Sequence, residues 1–477
     1  MTEPFAAVTD IAEAVGTGAS SALSQVESCL ARVHELNPVL NCYTEVLAER
    51  ALSKARQVDA QIAAGETPGT LAGVPFAVKN LFDIAGITTL AGSKINADEP
   101  PAIRDALLIQ RLEAEGAILL GALAMGEYAY DFTGENQHFG ACRNPWDIER
   151  MSGGSSSGSG SATAAGLAPF SLGSDTNGSI RVPSSLCGLF GLKPTYGRLP
   201  RTGSYPFCDS LDHLGPLARS SADLAVIYDA LQGFDSSDHA CADKPVMPAS
   251  ARLASGIDTL RIAVADGYFN CDAFPEAAEA VATVASALGA KQKLPLEGAA
   301  EGRAAAYLIT NSEGAALHRP RLQSRLTDFD NDTRDRFLAG CLIPAAWTLR
   351  AQVVRRWWQD HMLEVFKQVD VIVAPCTPCS APLLGTKVLN VNGEDQPLRP
   401  NLGLFTQPFS AIGLPVCSVP LISSHTQLPI GVQLVAPPWR EDLCLRAAHA
   451  LEQQGVVQCG QLTVDSRALE TPPLPEP

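Results

Sequence analysis

The chain has no surplus of basic charge. Its 477 residues carry 35 lysines and arginines against 51 aspartates and glutamates, a formal charge of −16. That balance excludes a nucleic-acid backbone or an anionic membrane surface as an expected partner, since both need a basic face. It leaves room for an acidic small-molecule substrate, because a pocket needs only one or two local cations. No apolar run approaches the roughly 20 residues that span a bilayer, and the opening MTEPFAAVTD lacks the basic segment of a secretory signal. The 13 cysteines are odd in number and have no disulfide-like spacing, so reduced thiols and a cytoplasmic location are expected. One CxxC occurs, Cys376 to Cys379, and without a second such pair it makes no zinc site; structural thiols are the expectation. Aromatic residues are scarce, at 6%. The eight histidines (His34, His138, His213, His239, His318, His361, His425 and His449) all lie outside any hydrolase-like context. No metal and no cofactor is expected.

What the chain does have is small residues and a large apolar share: 39 glycines with 46% hydrophobic residues, the composition of tight helix–sheet packing around a big core. Leu23, Val26, Leu30 and Val33 recur at helical spacing, as do Ala51, Ala55, Val58 and Ile62, with breaks expected at Asn37-Pro38 and Gly65–Gly69. Val74, Phe76 and Val78 alternate as a short strand with Lys79 at its end, and a helix over Ile103–Glu115 leads into the strand AILLGALAM. Further on, LRIAVADG, VIVAP, LPVCSVPL and LPIGVQLVA have the pattern of strands, and Pro275–Leu288 and Ala351–Val369 that of helices. Residues 234–256 are polar and irregular, an expected exposed excursion. One large α/β domain over residues 1–477 is favoured, with its core at about 70–220 and a helical N-terminal segment, about 1–65, packed on it.

Between Met151 and Lys193 the helix–strand rhythm gives way to two small-residue tracts, MSGGSSSGSGS from Met151 and GSDTNGSIR from Gly173. The first runs into an alanine-rich apolar segment instead of joining two domains, so it is more than a Gly/Ser linker. No Gly-Lys-Ser/Thr follows either tract, which excludes a phosphate-binding P-loop. In Thr176-Asn177-Gly178-Ser179 the side chains are small enough for consecutive backbone N–H groups to approach an oxyanion closely. A serine nucleophile needs a base. With no suitable histidine, the candidate is Lys79, provided it is neutral. That requires lowering its pKa from about 10.4 towards 7, a cost of about 4–5 kcal/mol that burial beneath VPFAV would supply. The alternatives for Lys79 are a strand-end lysine reaching solvent or pairing with Asp83.

Lys79, Ser155 and Ser179, set in GVPFAVKN, GGSSSGSG and GSDTNGSIRVPSSLCGLFGLKPTYGR, resemble the amidase signature family in order and spacing, and LPIGVQLV extends the resemblance. It implies an amidase-signature fold, one α/β domain with a mixed central β-sheet covered by helices. It also implies Ser179 as acyl-forming nucleophile, Ser155 in a cis peptide as proton relay, Lys79 as base, and the N–H groups of Thr176, Asn177, Gly178 and Ser179 as oxyanion donors. Asn177 stands where the family commonly has glycine. Within the family, LFDIAGITTLAGSKIN (81–96), RTGSYPF (201–207), DHLGPLA (212–218), SEG (312–314), LRAQ (349–352) and LCLRAA (443–448) resemble a branch that deaminates small carboxylated ureas in s-triazine breakdown. That resemblance implies ammonia release and a small helical accessory subunit in a hetero-oligomer. Arg355 stands where the glutamine-using relatives bind their substrate carboxylate, the alternative being a solvated helix arginine beside Arg356, and Met125 and Tyr128, after AILLGALA, are expected either to wall the pocket or to be ordinary core residues. The alternative inside the family is the glutaminase subunit of an aminoacyl-tRNA amidotransferase. Outside it stand an α/β-hydrolase with Ser156 as nucleophile, since Gly154–Gly158 satisfies G-x-S-x-G although the preceding NPWDIER is too charged for the required apolar strand, and a non-catalytic scaffold.

Overall fold

The computed structural model describes residues 5–391, 393–460 and 462. Its centre is one mixed sheet of eleven strands. In chain order these are β1 (Tyr43–Val46), β2 (Pro75–Lys79), β3 (Ile118–Leu123), β4 (Phe170–Asp175), β5 (Phe190–Lys193), β6 (His213–Ala218), β7 (Ile262–Asp266), β8 (Gln292–Pro295), β9 (Val371–Pro375), β10 (Val416–Ile422) and β11 (Pro429–Val435). In space they run β1-β3-β2-β4-β6-β5-β10-β11-β9-β7-β8. The β3-β2-β4 and β9-β7-β8 neighbours are parallel and the rest antiparallel. Parallel strands covered on both faces are apolar throughout, and β2, β3, β4 and β9 are buried at every position. The expected α/β architecture, a mixed central sheet covered by helices, is the one observed.

Around the sheet lie α1 (Val8–Gly16), α2 (Ala22–Leu40), α3 (Ala48–Ala63), α4 (Leu107–Ala114), α5 (Ser157–Ala164), α6 (Arg181–Cys187), α7 (Ser221–Leu231), α8 (Pro275–Ala287), α9 (Ala299–Ser324), α10 (Asn331–Cys341) and α11 (Ala345–Val365). Two expected boundaries moved. The helix α2 passes through Asn37-Pro38 and ends at Asn41 in the left-handed conformation. Its last turn tolerates the proline, and the Asn37 side chain turns the chain by accepting from the N–H groups of Cys42 and Tyr43 (2.9 and 2.7 Å). The helix expected from Ile103 begins only at Leu107 because the Ala106 N–H is taken by the Asp83 carbonyl and the Asp105 carboxylate by Arg50. The segment NPWDIER, read as too charged for the apolar strand of a nucleophile elbow, contributes to the short, partly exposed strand Asp147–Met151, paired with Arg143–Asn144 in a two-stranded hairpin outside the main sheet.

The stretch that seemed to abandon the helix–strand rhythm continues it in miniature: α5, β4, α6 and β5 follow one another between Ser157 and Lys193. All eight residues of α5 are buried, which their size permits. A Cβ on Gly158 would lie 2.5 Å from Ala124 N and Cys42 O, and one on Gly160 3.0 Å from the Pro183 side chain. Only small residues let a helix lie this deep between the sheet and α6. No single helix among the described residues is long and apolar enough to cross a bilayer.

Candidate active site

Strands β2 and β4 run parallel with Val78 opposite Leu172, so they end together at one edge of the sheet. That edge gathers the chemistry. Lys79 is the last residue of β2, Asp175 the last of β4, Ser155 lies in the loop entering α5, and Ser179 in the loop between β4 and α6. Lys79 is fully buried, and its Nζ donates to Ser155 Oγ (2.7 Å) and to Ser174 Oγ (2.8 Å). The Gly154–Ser155 peptide is cis. Burial pushes the Lys79 amine down to about 7, against the through-space pull of Asp212, Asp175 and Asp131. Each of these acids is committed elsewhere: Asp175 to Arg181 (2.9 Å), Asp131 to Arg399 (3.1 Å), and Asp212 to the Thr176 hydroxyl (2.6 Å) and the N–H groups of Phe207 and Cys208. Asp83 accepts from the Thr89 hydroxyl (2.6 Å) and does not pair with Lys79. The lysine therefore keeps a depressed pKa because its neighbours are hydroxyls.

The loop after β4 is clamped at its base. Burial alone would raise the Asp175 carboxyl, but the Arg181 guanidinium holds it well below the usual carboxylate range. Arg181 also donates to Gln433 Oε1 (2.7 Å) and the Thr406 carbonyl (3.0 Å), and the Thr406 hydroxyl donates to the Asn177 carbonyl (2.7 Å). Gly178 sits at φ +144°, where a Cβ would come 2.3 Å from Thr406 Oγ1. Among the described residues, the backbone N–H groups of Thr176, Asn177, Gly178 and Ser179 have no acceptor. Unspent donors beside a small hydroxyl are what a developing oxyanion requires.

Ser179, Thr176 and Asn177 line a half-enclosed cavity with Tyr130, Phe132, Phe207, Tyr307 and the two arginines Arg336 and Arg399. Ser179 lines this cavity while the Lys79–Ser155 pair does not, and a serine hydroxyl on a cavity with a lysine–serine pair at the same end of β2 and β4 is a set of groups that can carry out acyl transfer from an amide. A family model for amidases matches residues 24–445. The chain belongs to the amidase family. As an amidase it is a hydrolase of amide C–N bonds, and its relatives match it over more than nine-tenths of its length. It is 50% identical over 450 residues to the AtzE component of 1-carboxybiuret hydrolase from Pseudomonas sp. (strain ADP), covering 94% of this chain and 98% of that one. It is 37% identical over 471 residues to a component of the glutamyl-tRNA(Gln) amidotransferase of Azotobacter vinelandii, covering 93% and 96%. A solved structure described as a vestigial protein complex revealing the origins of an s-triazine catabolic enzyme superposes with a TM-score of 0.94 at 50% identity, covering 96% of this chain and all of that one.

Three residues expected at the amidase pocket lie elsewhere. Arg355 is on the outer side of α11, donating to the Ser210 carbonyl (3.1 Å) and Gln352 Oε1 (3.3 Å), and lines a surface hollow with Val353, Arg356 and Trp357. Met125 borders a separate small hollow with Gly134, Asn136 and Ser157. Tyr128 is buried in an aromatic cluster with Tyr205, His318, Phe329 and Phe337, its hydroxyl donating to Asn96 Oδ1 (3.0 Å). Ser156 turns into the sheet and donates to the Ser174 carbonyl (3.1 Å). The residues missed in the sequence are Ser174, hidden between the motif positions, and Arg336, whose DTRDRF context has the alternating charge of a solvated helix. Arg336 stacks on the Tyr130 ring (3.8 Å) and donates to the Tyr130 carbonyl.

Proposed function

We propose that this amidase hydrolyses 1-carboxybiuret, releasing ammonia from its terminal amide through an acyl-enzyme. The observation that carries the mechanism is the buried Lys79–Ser155 contact with the lysine held to about 7. Neutral Lys79 takes the Ser155 proton as Ser155 takes that of Ser179, and the Ser179 Oγ attacks the amide carbon. The N–H groups of Thr176 to Ser179 hold the oxyanion. Returning along the same relay, the proton leaves with ammonia, and water, activated in reverse, releases the acyl group as a carboxylate. For the substrate carboxylate the cation is Arg336, in place of Arg355. Arg399 is spent on Asp131 and Asp332 (3.1 and 2.9 Å), whereas Arg336 borders the cavity without an ion-pair partner among the described residues.

The partner in this reading is a small helical accessory subunit. Leu342, between α10 and α11, and Trp347, Leu349 and Val353 on α11 are 83, 59, 70 and 56% exposed, apolar side chains that such a partner would cover. The free thiols of the chain accord with a reduced, cytoplasmic setting.

Ammonia release decides the substrate. With 1-carboxybiuret, biuret, allophanate and glutamine offered in turn, 1-carboxybiuret gives the highest kcat/KM. A preference for glutamine would transfer the reading to the amidotransferase glutaminase, which the 37% identity to the amidotransferase component supports as the second choice.

A further inference from the structure

A second buried lysine lies under the same loop and takes no part in the relay. Lys193, at the end of β5, is wholly buried, and its Nζ donates to the carbonyls of Leu414 and Pro194 (3.3 Å for the latter) and to His213 Nε2 (3.3 Å). The two carbonyls can only accept, so the amine donates to both. The ring of His213 settles the direction of the chain of bonds. Its Nδ1 faces two carbonyl oxygens, Leu211 (2.6 Å) and Asp175 (3.0 Å), which can only accept. Nδ1 therefore carries the proton, Nε2 is left as an acceptor, and Lys193 must be its donor.

We propose that Lys193 is a positioning residue for the oxyanion loop: through His213 it fixes the Asp175 carbonyl, from which Thr176 to Ser179 depart. The inference rests on reading those four residues as the oxyanion donors. The loop's base is then held at three points, Arg181 on the Asp175 carboxylate, His213 on its carbonyl and Asp212 on the Thr176 hydroxyl. The electrostatics agree with a neutral, singly protonated ring. Burial and the neighbouring Lys193 push His213 well below the ordinary histidine range, with Asp175 opposing and Arg181 assisting. Lys193 is itself pushed down to about 7 by burial and Arg181, opposed by Asp175, Glu441 and Cys444. A lysine kept in so unfavourable a place with no carboxylate in contact is poor packing and a good donor.

Two measurements test this. In the wild-type protein, nitrogen-15 histidine spectra show His213 with the proton on Nδ1 and an unprotonated Nε2 at neutral pH; an Nε2–H tautomer overturns the proposal without any substitution. In Lys193→Met, kcat per active site, counted with a serine-directed phosphonate, falls about 10- to 100-fold while KM stays within about twofold, the mark of a misplaced loop. Adding His213→Asn makes that loss no worse than the larger single one, since both act along one chain of bonds. Unchanged kcat per titrated site, or losses that multiply, contradicts a role exerted through His213. Should Lys193→Met not fold, the histidine spectrum alone decides. Absence of turnover on 1-carboxybiuret with turnover on glutamine would alter the substrate reading and leave both tests intact.

Discussion

The two small-residue tracts differ in composition, the first almost wholly serine and glycine and the second carrying Asp175, Thr176, Asn177 and Arg181 as well, and both are buried throughout, but they account for their polar groups differently. In the first, Ser156, Ser157, Ser159 and Ser161 donate to the carbonyls of Ser174, Ala124, Leu172 and Arg143 (2.8–3.2 Å), and Thr163 pairs with Ser171 (2.8 Å). In the second, the Thr176 hydroxyl and the Asn177 amide are paired, but among the described residues four successive N–H groups and the Ser179 hydroxyl have no partner, and Thr176, Asn177 and Ser179 line a cavity. A buried serine is structural when the protein supplies its partner and chemical when it does not. Ser155 stands between the two cases, because its partner is a lysine whose proton is mobile near pH 7.

Substitutions in the second tract should therefore appear in rate, and those in the first in stability. Ser179→Ala comes first: ammonia release falls at least about 10⁴-fold with the circular-dichroism spectrum unchanged. Lys79→Met lowers kcat by about 10²–10⁴-fold, the range of a lost general base. It also removes a pH dependence. Because the folded pKa of about 7 lies below the roughly 10.4 of an unfolded lysine, the unfolded chain holds the extra proton between those values and stability rises with pH across that window. Thermal midpoints from pH 7 to 10 therefore rise less steeply in Lys79→Met. Gly178→Ala, pressing on Thr406 at a positive φ, costs about 10²-fold in kcat in addition to about 1–3 kcal/mol of stability. Gly158→Ala loses stability alone, about 1–3 kcal/mol in denaturant unfolding, as its methyl meets the Ala124 and Cys42 backbone. The smallest effect belongs to Ser159→Ala, about 0.5–1.5 kcal/mol from one carbonyl left unpaired, with kcat unchanged. A rate loss there as large as that of Gly178→Ala would erase the distinction between the tracts.

Much of this site was legible in the sequence, for a physical reason: it is built from backbone and short side chains whose placement the local string dictates. Lys79 ends a five-residue strand that alternation locates, and Ser179 sits in a small-residue tract whose resemblance to a known motif singles it out. The apolar strands VIVAP and LPIGVQLVA were readable for the same reason. The long side chains around the cavity were not. Arg336 and Arg355 both belong to charged helical segments, and which of them turns inward is decided by how α10 and α11 pack on α9, a property of three helices together. Ser174 escaped notice because only the parallel pairing of β2 with β4 brings it to Lys79. Tyr128 and Met125 are both buried, Tyr128 in an aromatic cluster and Met125 at a separate small hollow, and that depth depends on packing the local string does not carry.

The most direct test of the lysine relay is the rate of Ser179 phosphonylation by a serine-directed phosphonate, followed across pH 6–9 with the labelled peptide mapped. The relay predicts label on Ser179, a rate that rises through an inflection near 7, and loss of that inflection in Lys79→Met. Label on Ser156, or a wild-type rate flat across the range, would contradict it.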